Sequence, residues 1–281
     1  MSVKIITDST ADMPDSQKKR TTIIPMQIRF GSEEYIDGVT MSRQEFYAKL
    51  LENQELPATS QPSPAAFADA FAKVVSEGDS AVVITISGKL SGTYQSACLA
   101  AEEYEGRVFV VDSECVALGT GALAERALQL VDTGMEAADI AAQLEAEKPQ
   151  LHVLAVLDTL EYLKRGGRIS PAVAFAGGLL SIKPVVTTQN GEVAILAKAR
   201  GNKQGNQMLL KEAQKNGSFD FSRPVLLGYG GLEDTLLKKF YEDSKEVWDA
   251  GQYVYDPVIL SGAIGTHLGP GVIGVAFFAK N

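Results

Sequence analysis

The sequence predicts an α/β protein of two units: a parallel-sheet, three-layer α/β domain over residues 1–150, and an α+β domain with a mixed or antiparallel sheet over residues 151–281. Three observations predict it. Short apolar runs such as Ala81–Ser87 alternate with helical segments through the first half, the pattern of parallel strands buried on both faces. Asn190-Gly191, between two β-rich runs, marks a hairpin in the second half. Charge also divides unevenly: residues 1–150 carry 12 basic against 23 acidic side chains, net −11, whereas residues 151–281 carry 14 against 12, net +2. The seam is expected near Lys148-Pro149.

In order, Val3–Thr7 is a short strand ending in Asp8-Ser9-Thr10, and Thr22–Phe30 is a second strand. Ser42-Arg43-Gln44-Glu45 fits a capping box that opens a helix to about Asn53. Ser63-Pro64 is an N-cap followed by proline at the first helical position, leading a helix to Ser76. The buried strand Ala81–Ser87 is followed by a helix over Tyr94–Tyr104, then by the strand Arg107–Asp112. Helices over Thr120–Val131 and Ala137–Glu147 close the first half. The second half reads as a strand at Val153–Leu157, a short helix at Leu160–Lys164 and a hairpin of Pro184–Thr188 with Glu192–Leu196. Helices over Lys203–Lys215 and Glu233–Ala250 flank a strand at Pro224–Tyr229. Val254–Leu260 and Val272–Phe278 are the last strands.

Composition narrows the function. With 281 residues, 45% hydrophobic and 22% charged, the chain has enough apolar material for a real core, which excludes disorder as its main state. The longest apolar stretches, such as Val272 to Ala279, are strand-sized, so no transmembrane segment is expected. Met1 leads straight into a strand rather than a basic and apolar leader, and there are only 2 cysteines, Cys98 and Cys115. A reduced, cytoplasmic protein is therefore expected. The net charge of −9, without a Lys/Arg run, argues against nucleic-acid binding.

Two dinucleotide-type glycine patterns lack the required context. Gly119-Thr120-Gly121-Ala122-Leu123-Ala124 sits well beyond its strand, and Gly269-Pro270-Gly271-Val272-Ile273-Gly274 leads into a strand rather than a helix N-terminus. Histidine numbers only 2, His152 and His267, with no second ligand at metal spacing, so neither a metal nor a cofactor is expected. His152 precedes a buried strand and reads as structural. His267 lies in the glycine-rich loop Ser261 to Gly271, where it serves either as a turn residue or in a site. The segments Thr59-Ser60-Gln61-Pro62-Ser63 and Ser91-Gly92-Thr93 each precede a helix. N-capping accounts for Ser63 completely and for Ser91 in part. The remaining hydroxyls, with free N–H groups at helix starts and a histidine, suit an anionic head group.

Asp8-Ser9-Thr10, Thr59-Ser60-Gln61-Pro62, Ser91-Gly92-Thr93-Tyr94-Gln95-Ser96-Ala97, the segment Leu160 to Ser170, Lys183-Pro184 and the segment His267 to Gly274 occur together and in order. From residue 4 to residue 279 this combination resembles the DegV family of bacterial fatty-acid-binding proteins. The resemblance implies two domains with one long-chain fatty acid buried between them. It also implies a partner, a fatty acid kinase, which makes an acyl-phosphate for phospholipid synthesis. Carried over by position, Thr59, Ser91 and His267 correspond to the carboxylate-binding residues. Arg200 falls where the family often has an arginine involved with the kinase, although Gly-Asn-Lys follows it here rather than Thr-x-x. The protein would then be a binding partner rather than an enzyme. Two hydroxyls and an imidazole can satisfy a buried carboxylate, and Phe175 to Ile182 offers a wall for the tail. The rival reading is a serine hydrolase with Ser91 as nucleophile and His267 as base, although no G-x-S-x-G elbow is present. A third is a sugar or phospho-metabolite binder on the same helix ends.

Overall fold

A computed structural model describes residues 2–53, 55–170 and 182–280. Its strands are β1 (Val3–Asp8), β2 (Thr21–Ile24), β3 (Gln27–Phe30), β4 (Glu33–Ile36), β5 (Ala58–Ser60), β6 (Ser80–Thr85), β7 (Val108–Asp112), β8 (Leu151–Val156), β9 (Ile182–Gln189), β10 (Glu192–Arg200), β11 (Val225–Gly230), β12 (Pro257–Ile259) and β13 (Val272–Phe278). They form three sheets.

The first sheet, in the order β2-β1-β6-β7, is wholly parallel. Its alternation sorts the core into two faces. Ile5, Val82, Ile84 and Val111 join Leu123, Ile140 and Leu144 of the helices Leu118–Asp132 and Ala137–Glu147. Ile6, Ala81, Val83 and Val108 meet Phe67, Phe71 and Ala97 of the helices Pro64–Ser76 and Thr93–Ala101. Helix, sheet and helix make the three layers.

The six-stranded sheet, in the order β10-β9-β8-β13-β11-β12, is antiparallel except for the β11–β12 pair. The Asn190-Gly191 loop between β9 and β10 has positive φ at both residues, 52° and 79°, as a two-residue type I′ turn requires. One face of this sheet buries Trp248, Phe240 and Leu209. The other packs on the helix Leu118–Asp132, which is thus held between the two large sheets. Every residue from Leu118 to Ala124 is buried, as expected for a helix surrounded by protein. Gly119 and Gly121 belong to this packing rather than to a nucleotide site. A Cβ on Gly121 would stand 2.1 Å from the Asp12 carbonyl oxygen.

The small antiparallel sheet β4-β3-β5 packs Ile28 and Phe30 against Phe46, Tyr47 and Leu50 of the helix Arg43–Glu52. The capping box at Ser42 and Glu45 is formed. Ser63 caps its helix through the Ala66 N–H, 3.3 Å away.

Several expectations need correction. The Thr22–Phe30 strand is two strands in different sheets, β2 and β3, parted at Pro25, whose missing N–H and fixed φ suit a break in pairing. The Glu233–Ala250 helix is two helices, Thr235–Asp243 and Lys245–Ala250, with Ser244 between them. Val254–Leu260 reduces to the three residues of β12. The glycine-rich loop around His267 is helical over Gly262–Leu268. The expected tail wall, Phe175 to Ile182, lies outside the described residues except for Ile182, the first residue of β9. Among the described residues no helix is long and apolar enough to cross a membrane.

Candidate functional site

Four separate elements meet at one cavity. Thr59 is the middle residue of β5, paired with Ile28 of β3. Ser91 follows the turn after β6, its N–H bonded to the Ser87 carbonyl at 3.1 Å. The two loops are laced together. Gln61 donates to Ser96 Oγ at 3.1 Å, and its amide lies so close to Gly92 that a Cβ there would be 2.2 Å from it. His267 stands in the last turn of the helix Gly262–Leu268, which settles onto Phe46 and Tyr47. A Cβ on Gly265 would be 2.5 Å from the Phe46 ring. Arg168 comes from the loop after the helix Glu161–Arg165.

Thr59 Oγ1 and His267 Nε2 are hydrogen-bonded at 3.0 Å. Ser91 Oγ shares a hydrogen bond with Thr93 Oγ1 at 2.8 Å and accepts the Thr93 N–H at 3.3 Å, although the N-cap of that helix is Gly92 and not Ser91. Arg168 donates from Nε to the Leu90 carbonyl at 3.1 Å and from Nη1 to the Gly166 carbonyl at 2.7 Å. It thus ties the turn before Ser91 to the backbone beside His267. Burial, with Arg168 adding repulsion, lowers the His267 pKa to about 4. The ring is therefore neutral at pH 7 beside a permanent cation. Its Nδ1 faces Gly166, where a Cβ would come within 2.3 Å, and has no hydrogen-bond partner among the described residues.

Among the described residues, Thr10, Thr59, Ser91, Arg168 and His267 are the polar lining of this cavity. Met26, Ile86, Leu90, Leu163 and Ile264 supply apolar wall. A second cavity adjoins it, with Val116, Val193 and Leu268 common to both. Its other walls include Leu118 of the helix Leu118–Asp132, Val153, Leu154, Val186 and Val272 of the six-stranded sheet, and Leu260, just after β12. The polar side chains are thus gathered in the first cavity, and the second, against it, is almost wholly apolar.

A sequence model described as "Uncharacterised protein, DegV family" matches residues 2–280. The chain belongs to the DegV family. A DegV domain-containing protein of Deinococcus radiodurans is 36% identical over 280 residues, covering 98% of both chains. Among solved structures, a fatty-acid-binding DegV family protein from Thermus thermophilus superposes with a TM-score of 0.86 at 34% identity, over 100% of each chain. DegV from Bacillus subtilis, described as a fatty acid binding protein, gives 0.82 at 28% identity, again over 100% of each.

Of the residues singled out from this DegV sequence, Thr59, Ser91 and His267 converge on the first cavity, whereas Arg200 is outside its lining. Arg200 is exposed, and its backbone N–H donates to Gln204 Oε1 at 2.6 Å at the start of the helix Gly201–Lys215. Arg168 was missed. It lies within the segment Leu160 to Ser170 that carries part of the DegV resemblance, but nothing local separates it from Lys164 and Arg165. The hydrolase geometry is not supported. A triad needs the nucleophile bonded to the base and a third group bonded to the base's other nitrogen. Here Nε2 bonds to Thr59 rather than Ser91, and Nδ1 bonds to nothing among the described residues. The His152 ring packs tilted by 40° against Phe277, with centroids 5.5 Å apart, consistent with a structural role. Among the described residues no three His, Cys, Asp or Glu side chains are grouped to hold a metal ion.

Proposed function

We propose that this protein binds one long-chain fatty acid, with the carboxylate at Thr59, Ser91 and His267 and the acyl tail in the adjoining apolar cavity. The observation that carries the reading is the Thr59–His267 hydrogen bond in one cavity with Ser91 and Arg168, beside a second, apolar cavity. A carboxylate taken out of water costs several kcal/mol unless it is hydrogen-bonded or paired. Two hydroxyls, an imidazole N–H and the Arg168 charge are the groups that offset this. The apolar second cavity favours an acyl chain over a sugar or phospho-metabolite, which would leave polar groups without partners there. The fatty-acid-binding relatives support the same class of ligand.

The test is direct. Purified protein is denatured, extracted into organic solvent and examined by mass spectrometry. A near-stoichiometric fatty acid is the expected result, and a polar metabolite in its place would overturn the reading.

The bound acid is then presented to a fatty acid kinase that phosphorylates its carboxylate, and Arg200 is the contact assigned to that partner. Exposure of Arg200 away from the cavity lining supports a surface role. Arg200→Ala should leave lipid content intact and slow acyl phosphorylation by a supplied kinase, since an interface charge acts chiefly on association. Loss of lipid with unchanged phosphorylation of the bound fraction would reject the assignment.

A further inference from the structure

We propose that Asp37 is a positioning residue for the polar chamber: its buried carboxylate, clamped across the first backbone N–H groups of the helix Gly262–Leu268, sets where His267 meets Thr59. Asp37 lines neither cavity. It follows β4 directly and is only 4% exposed. Asp37 Oδ1 accepts the Gly262 N–H at 3.0 Å, and Oδ2 accepts the Ala263 N–H at 3.3 Å. The Ser9 hydroxyl donates to Oδ2 at 2.8 Å and fixes the carboxylate from behind.

Asp12 completes the grip. Its Oδ1 accepts the Ser261 N–H at 2.9 Å and pairs with Arg43 Nη2 at 2.9 Å. Ser261 Oγ accepts the Ile264 N–H at 3.4 Å. Four successive N–H groups, 261 to 264, therefore end on side chains. A helix of seven residues containing Gly262 and Gly265 has little stability of its own, so its position comes from such contacts and from packing. A tilt at its start is carried to His267 in its last turn. The small sheet holds both sides of the pair: Asp37 follows one edge strand, β4, and Thr59 is in the other, β5. A carboxylate that only added stability would leave the imidazole environment of the folded protein unchanged.

The experiment reads that environment. Protein labelled with ¹⁵N-histidine has two imidazoles, and His267→Gln assigns them. The inference rests on the fatty-acid reading for its affinity readout alone, and the imidazole titration does not need it. Asp37→Ala should raise the His267 titration midpoint from about 4 by about one pH unit or more as the ring gains water. Stearate affinity of the delipidated protein should fall about tenfold or more, as expected when a buried polar contact is misplaced. Asp37→Asn retains one acceptor and should recover part of both. Ser9→Ala should shift both less, in the same direction. Ser244→Ala, which removes the partner of Trp248 Nε1 on the far face of the six-stranded sheet, should lower stability and move neither.

An unchanged His267 midpoint in folded Asp37→Ala overturns the proposal. If that variant does not fold, unchanged midpoints in both Asp37→Asn and Ser9→Ala overturn it. If wild type binds no stearate, the ligand reading fails while the titration still decides the role of Asp37.

Discussion

The two adjoining cavities differ in how they would hold a ligand. The first gathers Thr59, Ser91, Arg168 and His267 from segments spread across the chain, and each polar group has a fixed direction. The second is lined largely by aliphatic side chains, with no charged residue among the described residues. Directional bonds select a chemical group, whereas apolar walls select length and shape. Head-group chemistry and chain selectivity should therefore respond to different substitutions.

The largest expected effect tests the junction. Val193 lines both cavities, so Val193→Trp should fill the space where they meet and weaken stearate about a hundredfold, near the top of a ~1–3 kcal/mol overpacking penalty. Hexanoate, short enough for the first chamber, should lose far less. Equal losses for both acids would dissolve the distinction between the chambers.

Next comes the imidazole. His267→Ala should weaken stearate by about 2 kcal/mol, while His267→Gln keeps a donor and retains part of the binding. Titration calorimetry on delipidated protein measures both, and a glutamine variant no better than alanine would make ring packing the main contribution. The hydroxyls follow. Thr59→Ala and Ser91→Ala should each cost about 1–3 kcal/mol, with Thr59 higher because its loss also releases His267. Unchanged ligand retention in the double variant would remove the carboxylate from this end.

The smallest effect is on the apo protein. The folded His267 pKa, about 4, lies below the unfolded value of about 6.5, so the unfolded state takes up the proton first. This contribution to stability is fully present above about pH 6.5 and is lost as pH falls toward about 4. Between pH 7.5 and 5, wild type should lose about 1–2 kcal/mol more than His267→Gln in urea unfolding. His152 is common to both proteins and cancels. Parallel losses would place the ring in water.

Elements governed by local rules were legible in the sequence. Ser42 with Glu45, Ser63-Pro64 and Asn190-Gly191 each satisfy backbone groups within a few residues, and each forms as expected. The helix around His267 was not legible, because Gly262 and Gly265 argue against one. It forms because Asp37 and Asp12 accept its first N–H groups and because glycine admits the Phe46 and Tyr47 rings. β4 and β5 escaped notice because they are short and mostly exposed, without an apolar alternation to follow. The family resemblance brought Thr59 and His267 together across 208 residues, a pairing that no local pattern encodes.

The most direct test of the central claim uses stearate labelled with ¹³C at the carboxyl carbon. Added to delipidated protein, it should give one slowly exchanging carboxyl signal, displaced from free stearate. That signal should shift again in both Thr59→Ala and His267→Gln, while a label on the terminal methyl should stay unmoved. A carboxyl signal indifferent to both substitutions, or a methyl signal that moves in its place, would contradict the account.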